Sequence, residues 1–98
     1  MVKIIDSSDT DFVNTISDLV NDLEELIEGE EGGNRRETRT VDRDDCSVEA
    51  YVFDYSSELP GYDFPDSRAD LDEVARELGN QMSTDVWFEG STLYVEEF

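Results

Sequence analysis

Residues 9–28 read DTDFVNTISDLVNDLEELIE, with apolar side chains at Phe12, Val13, Ile16, Leu19, Val20, Leu23, Leu26 and Ile27. The steps between them are 1, 3, 3, 1, 3, 3 and 1. That spacing places all of them on one stripe of a helix, so the stretch predicts an amphipathic helix over about residues 9–28. Ser7, Ser8 and Asp9 are N-cap candidates, and Gly29 within EGEEGGN (28–34) ends the helix in a loop. A stripe of this kind needs a second layer to cover it.

The second layer follows in the chain. RRETRTVDR (35–43) has β-favouring Thr and Val, DD (44–45) is turn-like, and CSVEAYVFDY (46–55) is the strongest strand. Together they predict an antiparallel hairpin. Cys46, Val48, Ala50 and Val52 are expected to face the helices, with Tyr51 and Phe53 on the other side. SSELPGYDFPD (56–66) reads as an irregular loop holding both prolines. A second helix is expected over about 67–79 on Leu71, Val74, Ala75 and Leu78, with Met82 as a possible extension and Gly79–Asn80 as a terminator. TDVWFEGSTLYVEE (84–97) reads as a second hairpin turning near Glu89–Ser91. Val2, Ile4 and Ile5 suggest a short first strand or arm. The order is (β)αββαββ. It predicts one α+β domain over 1–98, a two-layer sandwich with both helices on one face of an antiparallel sheet of about four to five strands.

Charge is the next strongest signal. The 98 residues hold 27 Asp or Glu against 7 Lys or Arg, with no His, for a net charge of −20. Lys3 is the single lysine. Self-repulsion of this size opposes the compact state at low ionic strength, and salt removes most of it. In composition, not in family, the chain resembles the cytoplasmic proteins of salt-in halophiles, chiefly haloarchaea. That resemblance implies a salt-adapted protein of the cytoplasm. The N-terminal MVKIID turns acidic early, so no signal peptide is expected. Apolar runs are too short to span a membrane.

The same composition narrows the chemistry. Without His there is no Ser-His or Cys-His pair, and a single Cys cannot build a zinc site or a disulfide. DRDD (42–45) and YDFPD (62–66) do not match a calcium loop and are expected to be solvated turns. No cofactor, metal or catalytic residue is assigned, and the expected class is non-enzymatic. Cys46 is expected to be buried and inert.

Three sets of residues are candidates for partner contact. More than half the basic charge lies in residues 35–43, where Arg35, Arg39 and Arg43 project on one side of an extended strand and Arg36 on the other. These arginines either pair with acids on neighbouring strands or form a contact surface. Glu24, Glu25 and Glu28 crowd the helix C-terminus, where the macrodipole is already negative. Salt adaptation explains them, as does a basic partner surface. Tyr62 and Phe64 in the loop and Trp87 in the last hairpin are aromatic anchors, unless the loop pair packs as a satellite core. The expected partner is a protein. Nucleic acid is excluded as a direct ligand because four arginines in a −20 chain neutralise few phosphates. The alternative is a nucleic-acid mimic that inhibits a DNA- or RNA-binding machine, of the anti-restriction or anti-CRISPR type.

Salt-dependent stability follows from the charge. The thermal midpoint should rise by many degrees between about 0.1 M and 2 M KCl, measured by far-UV circular dichroism. A flat midpoint across that range would remove salt adaptation as the reason for the acid.

Overall fold

The computed structural model describes residues 2–29 and 36–97. The predicted first helix is present as α1 (Phe12–Glu28), and Ile16, Leu19, Val20, Leu23 and Ile27 of its stripe are buried. It starts later than the periodicity suggests. Asp6 accepts from the Ser8 amide at 2.9 Å and Asp9 from the Asp11 amide at 3.0 Å. These two local turns use the capping side chains before the helix begins, and Asp11 stands at the N-cap without a side-chain bond. Gly29 ends α1 at φ 86°, its amide donating to the Glu25 carbonyl at 2.9 Å.

β2 (Arg39–Arg43) and β3 (Cys46–Asp54) form the first hairpin, and β5 (Val86–Glu89) and β6 (Thr92–Glu96) the second. They join into one antiparallel sheet of order β2-β3-β6-β5. α3 (Arg68–Met82) buries Leu71, Val74, Ala75, Leu78 and Met82 and packs beside α1. The architecture is the expected α+β sandwich, with the helices on one face of a four-stranded sheet.

The face that meets the helices is the opposite of the one expected. Tyr51 and Phe53 are buried together with Val86, Phe88, Leu93 and Val95. The register confirms one surface: Tyr51 lies opposite Val95 and Phe53 opposite Leu93. Cys46, Val48, Ala50 and Val52 therefore belong to the outer face. Both faces of β3 are apolar, so alternation alone does not choose between them. The two rings decide it, because they remove far more apolar area from water than Ala50 and Val52 do.

Two more departures bear on the site. Residues 56–66 are not wholly irregular. Asp54 caps a one-turn helix, α2 (Tyr55–Glu58), by accepting from the Ser56 amide at 3.2 Å. β4 (Tyr62–Asp63) then pairs in parallel with β1 (Lys3–Ile4). Gly79 lies inside α3 and does not end it. A Cβ there would sit 2.8 Å from the Thr84 carbonyl oxygen, so glycine lets the next segment fold back tightly. Ser83 ends the helix in the left-handed region at φ 58°.

The hairpin turns differ in quality. In the second, Gly90 has φ 60°, which costs glycine little. In the first, Asp44 and Asp45 both have positive φ, 49° and 66°, the geometry of a type I′ turn. Asn-Gly is the preferred pair there. Asp44→Asn with Asp45→Gly should raise stability by about 1 kcal/mol in urea unfolding. The measurement belongs in molar KCl, where removing two charges contributes little. No gain would mean that the turn is not strained.

Candidate functional site

Among the described residues, no helix covers the outer face of the sheet. Down its middle run Val41 opposite Val48, and Val52 opposite Tyr94 opposite Trp87. All five are half-buried. The Trp87 and Tyr94 rings stack at 5.2 Å with 7° between their planes. Arg43 comes from the far edge strand and lays its guanidinium 4.2 Å over the Trp87 ring. It also pairs with Asp85 at 3.3 Å. A cation on a tryptophan face is favourable by about 0.5–1 kcal/mol when exposed, and here it joins the two edges of the sheet across the outer face.

The candidate residues fall in three places. Arg39 and Arg43 share this face with Trp87. Arg39 lies opposite Ala50 on β2, exposed and without an ion pair to any described residue. Arg35 lies outside the described residues. Tyr62 and Phe64 pack against the core as a satellite. Phe64 sits 4.3 Å from Tyr55 and 6.0 Å from Phe88, ring to ring. The Tyr62 hydroxyl donates to Asp22 at 2.5 Å. Burial first, and then that bond, push its ionisation well above the ordinary tyrosine value. Glu24, Glu25 and Glu28 are exposed on α1, in the helix layer. Glu25 helps line a groove of about 260 Å³ with Asp22, Glu58 and Tyr62.

Cys46 is exposed, contrary to the expected burial. It lies opposite Arg43 beside the turn, on the outer face. Val48 and Val52 are absent from the sequence-based candidates because alternation along β3 assigns them to the side of the helices. The register of the last hairpin places Tyr94 beside Trp87, but nothing in the sequence says that Arg43 reaches them. Among the described residues, no group of three or more His, Cys, Asp or Glu side chains is placed to hold a metal ion.

Arg36 has a different role from the arginines of the strand. β2 stops at Arg39, so beyond Ala50 the only strand beside β3 among the described residues is β6, and its other side is free of one. Arg36 fills that gap, donating to the Val52 carbonyl at 2.6 Å and lying 4.3 Å over the Phe53 ring. It also forms a two-pronged pair with Glu58, at 2.8 and 2.9 Å, and Glu58 accepts the Asp54 amide at 2.9 Å. Burial raises the ionisation of Glu58. The Arg36 bonds, the Asp54 amide and the Arg36 charge outweigh it, so the net displacement is below the ordinary value of 4.5. A lowered carboxyl contributes stability that is present above its unfolded value and lost as pH falls through its folded value. Glu58→Gln should therefore destabilise at neutral pH by about 1–3 kcal/mol. The gap between the two proteins should close as pH falls below 4.5, followed by urea unfolding at each pH. A gap that does not change with pH would mean that the Glu58 charge is not what holds the clamp.

The chain matches no protein-family model, and no curated protein or solved structure matches it either.

Proposed function

We propose that this chain is a non-enzymatic protein-binding domain, adapted to a salt-rich cytoplasm, that meets its partner through the outer face of the sheet. The observation that carries the reading is the Arg43–Trp87–Tyr94 stack beside a band of valines, on a surface that no described element covers. Aromatic and arginine side chains held rigidly in place are the groups that most often anchor protein interfaces. They lose little freedom on binding, because the stack already fixes them. Apolar contact is also the kind of attraction that concentrated salt leaves intact, whereas charge attraction is screened. Tyr62 and Phe64 are poorer anchors, since their rings are already engaged with the core.

The partner is to be isolated by affinity capture in molar KCl and identified by mass spectrometry. Trp87→Ala and Tyr94→Ala should each weaken the purified complex by about 2 kcal/mol or more. Glu24→Gln, Glu25→Gln and Glu28→Gln together should leave it nearly unchanged in molar KCl. Cys46 reports on the same face, and its thiol should react quickly in the free protein and slowly in the complex. The reverse pattern, with the three glutamates essential, the aromatics neutral and nucleic acid competing, would replace this reading with nucleic-acid mimicry.

A further inference from the structure

We propose that the open edge of β5 and the adjoining stripe of α3 form a two-fold interface with a second copy of this chain. The inference stands apart from the outer-face reading, because it uses the edge of the sheet.

Among the described residues the sheet ends at β5, which has β6 on one side only. The Glu96 amide donates to the Asp85 carbonyl at 2.9 Å, and the pairing then runs regularly from Val86–Val95 to Glu89–Thr92. In an antiparallel ladder successive residues turn their backbone groups to alternate sides. Asp85, Trp87 and Glu89 therefore face β6, and Val86 and Phe88 turn theirs to the open edge. An open edge of this kind is a template for another strand. The opposite edge is defended differently. There β2 turns out Thr40 and Asp42, whose side chains are bonded to Glu49 and Ser47.

Two grooves, of about 400 and 420 Å³, run along the β5 edge and share Ala75, Arg76 and Val86. Their helical wall is α3, which contributes the stripe Arg68, Asp72, Ala75, Arg76 and Gly79 with Asn80 beside it. The steps of 4, 3, 1 and 3 along the stripe keep these residues on one side of the helix, where Arg68, Asp72 and Arg76 are exposed. Arg43, Arg68 and Arg76 line the grooves against Asp44, Asp72, Asp85 and Glu89. Charge there is near balance, on a chain that carries −20 overall. A second acidic copy meets less repulsion at this edge than the net charge implies.

The charges are also self-complementary. In an antiparallel pair of β5 strands centred on Trp87, Val86 meets Phe88 of the second copy and Asp85 meets its Glu89. Arg43, 3.3 Å from Asp85, stands beside that meeting point and offsets the two acids. α3 folds back against β5, so the two α3 helices lie antiparallel as well. That brings Arg76 of each copy towards Asp72 of the other. The existing pairs Arg68–Asp72 and Arg76–Glu73 are exposed, short-range pairs within the helix. Such pairs are worth little in water, so exchanging them costs little. Long-range repulsion between two acidic chains still opposes the dimer at low salt, and molar KCl lifts it.

The test is sedimentation velocity on the full chain in about 0.15 M and 3 M KCl. The expected result is an 11.2 kDa monomer at low salt and a species of twice that mass at high salt. Each reversal puts like charges in contact at the interface, so even at about 3 M KCl Arg76→Glu should raise the dimer dissociation constant a few-fold, and so should Asp72→Arg. The double variant carrying both reversals should restore it. Both side chains are well exposed, at 69% and 60%, so unchanged thermal midpoints will show that the fold is intact. A monomer at every salt concentration would overturn the proposal. So would a dimer indifferent to both reversals, or reversals that do not rescue one another.

Discussion

Burying Tyr51 and Phe53 requires two helices over the same half of β3, and the other elements are placed to meet that requirement. The rings stand on a central strand, so β6 must lie beside them and supply Leu93 and Val95 at the same level. β5 extends the surface with Val86 and Phe88. α1 and α3 close over it with stripes that contribute five buried residues each. Each large side chain taken fully out of water contributes about 1.5–3 kcal/mol. No buried polar or charged residue interrupts this layer among the described residues. The first residues of β3 extend past the helices, which is why Ser47 is exposed on the helix-facing side.

Seven bases among twenty-seven acids are too few to neutralise the surface, and they are not spread evenly over it. Lys3 fastens the N-terminal segment to Asp18 at 2.6 Å. Arg36 completes the hydrogen bonding of β3 where β2 falls short, and its pair with Glu58 is only 25% and 30% exposed. Shielding of that degree keeps the interaction from being screened as a fully exposed pair would be. Arg43 braces the outer face. Each of these bases acts at a specific gap in the backbone or in the packing.

The helices were legible because a stripe repeated over several turns has one reading, and Ile16, Leu19, Leu23, Val74 and Leu78 all lie where the period puts them. The hairpins were legible from their turn residues. The facing of β3 was not, since Val48, Ala50 and Val52 satisfy a period of two as well as Tyr51 and Phe53 do. Only the comparison of side-chain sizes separates them. The β1–β4 pair was hidden for a different reason: it joins two very short segments far apart in the chain, and its partners carry no mutual signature. The candidate site shows the same division. Trp87 and Tyr94 share a hairpin, so their stacking can be read from register. Arg43 reaches Trp87 from the opposite edge of the sheet, a contact that depends on the completed tertiary structure.

The parallel bridge at Lys3 and Ile4 makes the first residues a latch. It is held by amides donating from Lys3 to Gly61 at 2.9 Å and from Ile5 to Asp63 at 3.0 Å. Ile5 is buried behind it, whereas Ile4 is 68% exposed. Joining residues so distant in sequence carries a large loop-closure entropy, so this contact forms after the local helices and hairpins. Opening it gives up this short bridge, the Lys3–Asp18 pair and one buried isoleucine, and leaves the four-stranded sheet closed. Local opening of this segment therefore costs less than unfolding the unit around Tyr51 and Phe53.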